Sequence, residues 1–258
     1  MSAFLITFVI LNLVIGIWVL VYYIRNFKEA NSFIKYGLVV MVIFIIINIM
    51  CVKLIGKVSP LMFIVYSIKT AIYTCIGMEL CSKLGYKDMP LMRKAFHSSD
   101  GEDINMPNYI LSIAGVIGGS ALFTYILFKI TSPKVSDILV RFTESNPNSN
   151  DVSTLALVAY SLSLVITEEL TFRFITPNLI AKKFKLEGKK YWIAIIFSAM
   201  FWSVAHSGTL DPEWVKLVQI FPIGLALGWL FKNYGLESTI FAHAGFNILM
   251  TLLNNTLA

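Results

Sequence analysis

Residues 154–178 read TLALVAYSLSLVITEELTFRFITPN, an apolar run of membrane-spanning length that nevertheless holds two adjacent carboxylates and an arginine. An α-helix rises about 1.5 Å per residue, so roughly 20 apolar residues cross about 30 Å of hydrocarbon. A charged side chain in that layer costs about 3 kcal/mol or more, and it normally faces the interior of a helical bundle and has a partner. This stretch therefore predicts a membrane helix that carries a polar site.

Seven further apolar runs of similar length accompany this one. The chain of 258 residues is 57% hydrophobic and 14% charged, with a mean hydropathy of +0.75, whereas soluble domains contain about 25% charged residues. The apolar runs are roughly residues 4–24, 36–55, 61–82, 109–130, 154–178, 191–207, 213–232 and 238–257. These features predict an all-α integral membrane protein, a polytopic bundle of about eight transmembrane helices.

Two polar segments, residues 87–108 and 132–153, are the longest interruptions between the apolar runs. They divide the chain into two halves of four spans each. We predict N-terminal transmembrane helices 1–4 within residues 1–150 and a core of helices 5–8 within residues 151–258. Because the other connections are short, both halves should form one integrated membrane domain.

The distribution of basic residues predicts the orientation in the membrane. No Lys or Arg precedes the first apolar run, and Arg25, Lys28 and Lys35 follow it. Lysines also cluster between residues 182 and 190, and basic residues concentrate in cytoplasmic loops. Alternating spans then place the N- and C-termini outside. The Ile, Lys and Asn content indicates a bacterial source, for which we expect location in the plasma membrane. The net charge of +6 reflects topology and does not indicate a nucleic-acid partner.

Ionisable and amide side chains concentrate in the last four spans. Glu169 and Arg173 are four residues apart, so they share a helix face and can neutralise each other, while Glu168 points about 100° away. Glu168 and His206 lie about equally many residues from the basic loop at 182–190. They should therefore lie at similar depth in the membrane, on two antiparallel helices. The candidate residues are Glu168, Glu169 and Arg173 in the fifth span, Trp202 and His206 in the sixth, and His243 and Asn247 in the eighth.

A carboxylate, two imidazoles and a carboxamide suit the hydrolysis of an amide bond by water. A buried carboxylate can take a proton from water and pass it to the leaving amine, while an imidazole orients that water. A carboxamide and a second imidazole can donate hydrogen bonds to the oxyanion of the tetrahedral intermediate. The C-terminal half is therefore the predicted location of an active site.

The same side chains could instead hold a metal ion. Glu168, His206 and His243 form a set of two histidines and one carboxylate, which is the ligand count of catalytic zinc sites. The chain lacks the H-E-x-x-H pattern, and the three ligands would come from three helices. The residues alone leave open Zn²⁺, another divalent metal or no cofactor.

Three motifs stand in order on three spans: E-E-x-x-x-R at residues 168–173, an aromatic residue four positions before a histidine at 202–206, and H-x-x-x-N at 243–247. This order resembles the CAAX protease and bacteriocin-processing family of intramembrane proteases, also called the Abi family. The resemblance covers about residues 155–250. Where that family usually has Phe, this chain has Trp202.

The resemblance implies an intramembrane endopeptidase that hydrolyses a peptide bond of a membrane-associated protein or peptide, in peptide maturation, immunity or envelope regulation. It implies that Glu168 and His206 activate water and that His243 and Asn247 form the oxyanion site. The family has been described both as metal-dependent and as glutamate-dependent without metal, and we favour the second. The supporting residues would be Glu169, Arg173 and Trp202.

Two other functions remain compatible with these residues. A catalytically idle membrane scaffold or immunity protein would act by binding, and an ion-coupled transporter would use the same groups as a relay. Lys69 lies in the third span without a partner that the sequence identifies. The basic inner loops and the position of His243 near the start of its span predict a cavity that opens to the inner side.

Overall fold

The computed structural model of the chain describes residues 3–55, 60–96, 104–135 and 154–257, and nearly all of them are helical. In the first half lie α1 (Ala3–Arg25), α2 (Phe27–Asn31), α3 (Ile34–Ile55), α4 (Pro60–Leu84), α5 (Pro90–Ala95) and α6 (Met106–Thr131). In the second half lie α7 (Thr154–Glu169), a π-helical turn (Leu170–Ile175), α8 (Thr176–Phe184), a 3₁₀ turn (Gly188–Lys190), α9 (Tyr191–Ala205), α10 (Glu213–Tyr234) and α11 (Leu236–Leu257). The predicted all-α class is confirmed.

The helices agree with the predicted membrane spans. Within the described residues, α3, α4, α6, α10 and α11 are long and apolar enough to cross a membrane, and α1 contains a shorter apolar stretch, Ile10–Arg25. The other two predicted spans coincide with α9 and with the continuous segment from α7 through α8. The chain is therefore an integral membrane protein.

Some features differ from the sequence expectation. The strands β1 (Lys134–Val135) and β2 (Leu210–Asp211) form a two-residue antiparallel pair, and α2 and α5 are short helices in segments expected to be loops. The boundary predicted at residues 150–151 lies outside the described residues.

The π-helical turn lies at the centre of the bundle. It contacts α4, α9, α10 and α11 in addition to α7 and α8, which flank it in the chain. All six of its side chains are buried. The turn therefore fixes the position of the residues immediately before it, Glu168 and Glu169, relative to the other helices.

Pro177 interrupts the π-helical hydrogen-bond pattern and lies in the first turn of α8. Proline has no backbone N–H, so the carbonyl of Phe172, five residues earlier, lacks a π-helical backbone donor. The hydroxyl of Ser198 on α9 donates a hydrogen bond to that carbonyl instead. The hydroxyl of Thr176 donates to the carbonyl of Thr171 at 2.7 Å. The Ser198 hydroxyl thus satisfies the carbonyl of Phe172, while the carbonyl of Thr171 accepts from both the hydroxyl and the backbone N–H of Thr176.

Gly77 of α4 allows the π-helical turn to approach α4 closely. A Cβ atom at this position would lie 2.2 Å from Cδ1 of Phe174, whose side chain is fully buried. A Cβ at Gly115 of α6 would meet none of the described atoms within 4 Å. The two glycines therefore provide a matched pair for a packing test.

We expect Gly77→Ala to lower the free energy of unfolding by about 1–3 kcal/mol, because the added methyl must displace Phe174 from a filled core. Gly115→Ala should leave stability unchanged or raise it slightly, since alanine is the better helix former. Unfolding of the purified variants in the same detergent measures both effects. Equal stabilities for the Gly77 variant and wild type would contradict the close approach of Phe174.

Candidate active site

Glu168, on the last turn of α7, lies beside a histidine and a tryptophan from α9. Its Oε2 accepts a hydrogen bond from Nε1 of Trp202 at 2.8 Å and lies 3.7 Å from Nε2 of His206. Nδ1 of His206 is 2.9 Å from the carbonyl oxygen of Trp202. A carbonyl only accepts hydrogen bonds, so Nδ1 of His206 carries the proton. In the neutral imidazole, Nε2 is then the acceptor that faces Glu168.

Glu169 forms a second polar cluster with the last helix. Its Oε1 is 2.8 Å from Nδ1 of His243 and 3.4 Å from Nη1 of Arg173. The guanidinium of Arg173 lies 3.9 Å from the centroid of the Trp202 ring. That ring also contacts the rings of His206 and His243, at centroid distances of 5.1 Å and 5.3 Å. Trp202 therefore joins the two clusters.

Burial separates the two clusters into an accessible one and an enclosed one. The side chains of Glu169 and Arg173 are 0% and 2% exposed, and that of His243 is 6% exposed. Those of Glu168 and His206 are 26% and 23% exposed. Only the Glu168–His206 pair is thus accessible to a substrate or to water without rearrangement of the core.

A cavity of about 240 Å³ leads to this pair and lies between α1, α3, α4, α7 and α9. Its wall includes Tyr66 and Lys69 from α4, Tyr160, Thr167 and Glu168 from α7, and His206 after α9. Carboxylate and imidazole thus meet in a space large enough for several water molecules or a short piece of peptide.

The lining of the cavity extends from Glu168 away from the basic loop of residues 182–190. Tyr160 and Leu164, which line the cavity, precede Glu168 on α7, whereas the lysines of residues 182–190 follow α8 and the π-helical turn. The buried cluster around Glu169 and the π-helical turn fill the side toward that loop. The cavity therefore extends from Glu168 in the opposite direction, where Tyr160 and Leu164 are 50% and 43% exposed.

His243 and Asn247 share one face of α11, and that face contacts α7. His243 bonds to Glu169, and Nδ2 of Asn247 donates to Oγ of Ser161 at 3.1 Å. Ser161 lies two helical turns before Glu168, which is roughly 10 Å along α7. Neither His243 nor Asn247 lines the cavity. The contacts of His243 are thus with Glu169 and Trp202, which adjoin the Glu168–His206 pair, and Asn247 lies away from that pair.

The donor atoms that the structure describes near Glu168 do not form a complete set of metal ligands. Within the part of the chain that the structure describes, no group of three His, Cys, Asp or Glu side chains is arranged to hold a metal ion. Glu168 and His206 offer suitable oxygen and nitrogen donors at the cavity wall. The third residue of the expected set, His243, bonds through Nδ1 to Glu169, which leaves its Nε2 as a donor, and such a carboxylate partner is common for metal-binding histidines.

Two lysines of the membrane helices lie close enough to Glu168 for their charges to interact with it. Lys69 lines the cavity. Lys216 of α10 donates a hydrogen bond from Nζ to Oε1 of Gln219 at 3.0 Å. Lys216 was not among the predicted site residues, although its place within the apolar run 213–232 was a signal, since an ionisable residue inside a span is a functional candidate.

The fold and the site together define the class of protein. It is a polytopic helical membrane bundle with a glutamate–histidine pair at an internal cavity. Residues 150–249 match the protein family described as type II CAAX prenyl endopeptidase Rce1-like. This C-terminal stretch is similar to the CAAX protease and bacteriocin-processing family, as its three motifs predicted.

One curated relative is similar over a short stretch. Over 62 residues the chain is 34% identical to the sporulation-killing factor biosynthesis protein SkfC of Bacillus subtilis (strain 168). The match covers 24% of this chain and 12% of that protein. No solved structure is significantly similar to the chain.

Proposed function

We propose that the chain is an intramembrane endopeptidase that hydrolyses a peptide bond of a membrane-associated protein or peptide. The observation that carries this proposal is the accessible Glu168–His206 pair, 3.7 Å apart, at the wall of a cavity inside a membrane bundle. The description of the matching family supports the reaction class. The name of the B. subtilis relative, a biosynthesis protein, supports a role in peptide maturation.

The pair is arranged to activate a water molecule. A separation of 3.7 Å is too long for a direct hydrogen bond, but it allows Oε2 of Glu168 and Nε2 of His206 to bind the same water. The water attacks the peptide carbonyl carbon while Glu168 takes its proton. Glu168 then gives a proton to the leaving nitrogen as the C–N bond breaks. The hydrogen bond from Trp202 holds Oε2 in position throughout.

The oxyanion site remains a proposal from the motifs. His243 and Asn247 carry N–H donors of the kind that stabilise a developing oxyanion. Because Nδ2 of Asn247 donates to Ser161, a movement of Asn247 toward the substrate would exchange that bond for one to the oxyanion. Glu169 and Arg173 would act indirectly, by fixing the π-helical turn and the orientation of His243.

We expect peptide cleavage to persist after metal chelation, because a carboxylate and a neutral imidazole can activate water together. If a divalent metal binds, Glu168, His206 and Nε2 of His243 are the available ligands, and the metal would supply Lewis-acid activation of water or carbonyl. Cleavage by the purified protein is compared before and after treatment with EDTA or 1,10-phenanthroline. Loss of activity that one equivalent of Zn²⁺ restores would show that a metal is required.

We further propose that the protein is a multi-pass protein of a bacterial plasma membrane with both termini outside. The basic loop of residues 182–190 supports this orientation. Residues 151–258 would form the catalytic core, while α1, α3 and α4 of the first half would supply cavity walls. Cysteine accessibility labelling of loop variants from the two sides of intact cells tests the orientation.

The proposed activity is tested by comparing membrane-embedded and small secreted peptides from cells that express wild type or Glu168→Gln at matched levels. We expect a precursor to accumulate only with the variant, and purified wild-type protein should cut that precursor. Identical peptide profiles, with any cellular phenotype preserved in the variant, would contradict catalysis and indicate a binding or scaffold role. Proton-coupled uptake by reconstituted vesicles would instead indicate a transporter.

A further inference from the structure

Lys69 is a cation in the cavity that the proposed chemistry does not use. Among the described side chains that line the cavity, Lys69 and His206 are the only basic ones, and Glu168 is the only acidic one. Lys69 has no salt bridge to a carboxylate in the described residues. Its ammonium lies instead 4.9 Å from the ring centroid of Tyr73 and 5.7 Å from that of Tyr66.

The charge of Lys69 is compensated only in part within the described residues, by its interaction with Glu168 and by two aromatic rings. A lysine inside a membrane helix normally pairs with another group or extends to the membrane surface. Lys69 is partly buried at the cavity wall, one helical turn from each of two tyrosines. Contacts with aromatic rings offset only part of the desolvation of an ammonium group. Because Lys69 lines the cavity, its ammonium group is available to hydrogen-bond a ligand there.

Two other polar side chains of the cavity wall, Asn48 and Ser163, already bond to each other. Nδ2 of Asn48 donates to Oγ of Ser163 at 2.9 Å and to the carbonyl oxygen of Phe44, also at 2.9 Å. Because Asn48 and Ser163 are already hydrogen-bonded and carry no charge, Lys69 is the group best suited to recognise a negative charge on a ligand. Lys69 and Glu168 line the same cavity of about 240 Å³, so a ligand bound by Lys69 lies close to the proposed reacting atoms.

We propose that Lys69 binds a carboxylate of the substrate peptide and thereby sets which bond faces Glu168. This inference rests on the proposed protease function. The carboxylate belongs either to the C-terminus of the peptide or to an acidic side chain. A cavity of about 240 Å³ holds roughly eight water molecules, which suits the end of a chain better than a chain that passes through. Lys69 is a specificity residue, and the proton transfers remain with Glu168.

A binding measurement in the Glu168→Gln background separates this inference from catalysis. The probes are three pools of fluorescent pentapeptides built from Ala, Val, Leu and Phe. The first pool has a free C-terminal carboxylate, the second a C-terminal amide, and the third a C-terminal amide with one internal Glu. Fluorescence anisotropy measures the dissociation constant of each pool for the protein in nanodiscs. Lys69→Met is compared with Lys69→Arg, which keeps the charge.

We expect the free-carboxylate pool to bind about 10- to 100-fold more tightly than the amide pool, the effect of one charge-assisted hydrogen bond. Lys69→Met should abolish this difference, and Lys69→Arg should keep most of it. Tight binding of the internal-Glu pool would assign the carboxylate to a side chain, and weak binding would assign it to the C-terminus. Equal binding of all pools, no binding of any pool, or a preference that survives Lys69→Met would overturn the proposal.

The same proteins with Glu168 restored distinguish a failure of this inference from a failure of the proposed function. If Lys69 only tunes the charge of Glu168, Lys69→Met slows cleavage of carboxylate and amide peptides equally. If Lys69 binds the carboxylate, kcat/KM falls about 10- to 100-fold for the carboxylate peptide alone. Selective binding without cleavage by the wild type would uphold the Lys69 site and contradict the protease.

Discussion

Glu168→Gln is expected to lower kcat for peptide hydrolysis by about 10²- to 10⁴-fold, the usual contribution of a general base. The amide keeps the size of the carboxylate and an oxygen that can accept the hydrogen bond from Trp202, but it cannot take a proton from water. KM should change little, because the cavity keeps its shape. Initial rates of the purified variant with a cleavable peptide measure the effect.

Glu237→Gln is the matched control for that measurement. Glu237 is also a buried glutamate at a membrane helix, and its Oε1 accepts a hydrogen bond from the backbone N–H of Met92 at 2.8 Å. A glutamine oxygen can accept the same bond, so kcat should stay near the wild-type value. If Glu168→Gln cleaves as fast as Glu237→Gln, Glu168 is not the base.

Glu169→Ala is expected to lower the free energy of unfolding by about 3–5 kcal/mol, because it leaves the buried guanidinium of Arg173 without its counter-ion. It also removes the partner of His243. Glu29 is exposed on α2, so Glu29→Ala should have little effect and serves as the control. Denaturation in mixed micelles, followed by tryptophan fluorescence or circular dichroism, measures the change in stability.

The double variant Glu169→Ala with Arg173→Met identifies the cause of that loss. Removing both charges eliminates the unpaired cation and keeps much of the apolar volume, so the double variant should be more stable than Glu169→Ala alone. A double variant that is less stable by the sum of the two single effects would show that the ion pair is not the source of the stability change.

The fold class was predictable from the sequence because a membrane span has a minimum length and tolerates few charges. Each of the apolar runs coincides with helical segments. The π-helical turn was not predictable, because it depends on a hydroxyl from another helix, that of Ser198, which supplies a donor to the carbonyl of Phe172. Lys216 was overlooked because its position near the start of a span resembled a loop position.

The site was predictable only as far as helix periodicity and depth allow. Spacing of four residues correctly indicated that Glu169 reaches Arg173, and depth counting indicated that Glu168 meets His206. The rotation of α11 about its axis depends on side-chain packing. Sequence therefore could not show that His243 bonds to Glu169 or that Asn247 bonds to Ser161.

The most direct test of the Glu168–His206 pair is a double-mutant cycle on kcat/KM, with Glu168→Gln, His206→Gln and the double variant assayed on one peptide in nanodiscs. Two residues that act on the same water behave as one unit, so their effects are strongly non-additive. We predict that the double variant is no slower than the slower single variant. A double variant whose loss equals the product of the two single losses would contradict the account, because it would show that Glu168 and His206 act independently.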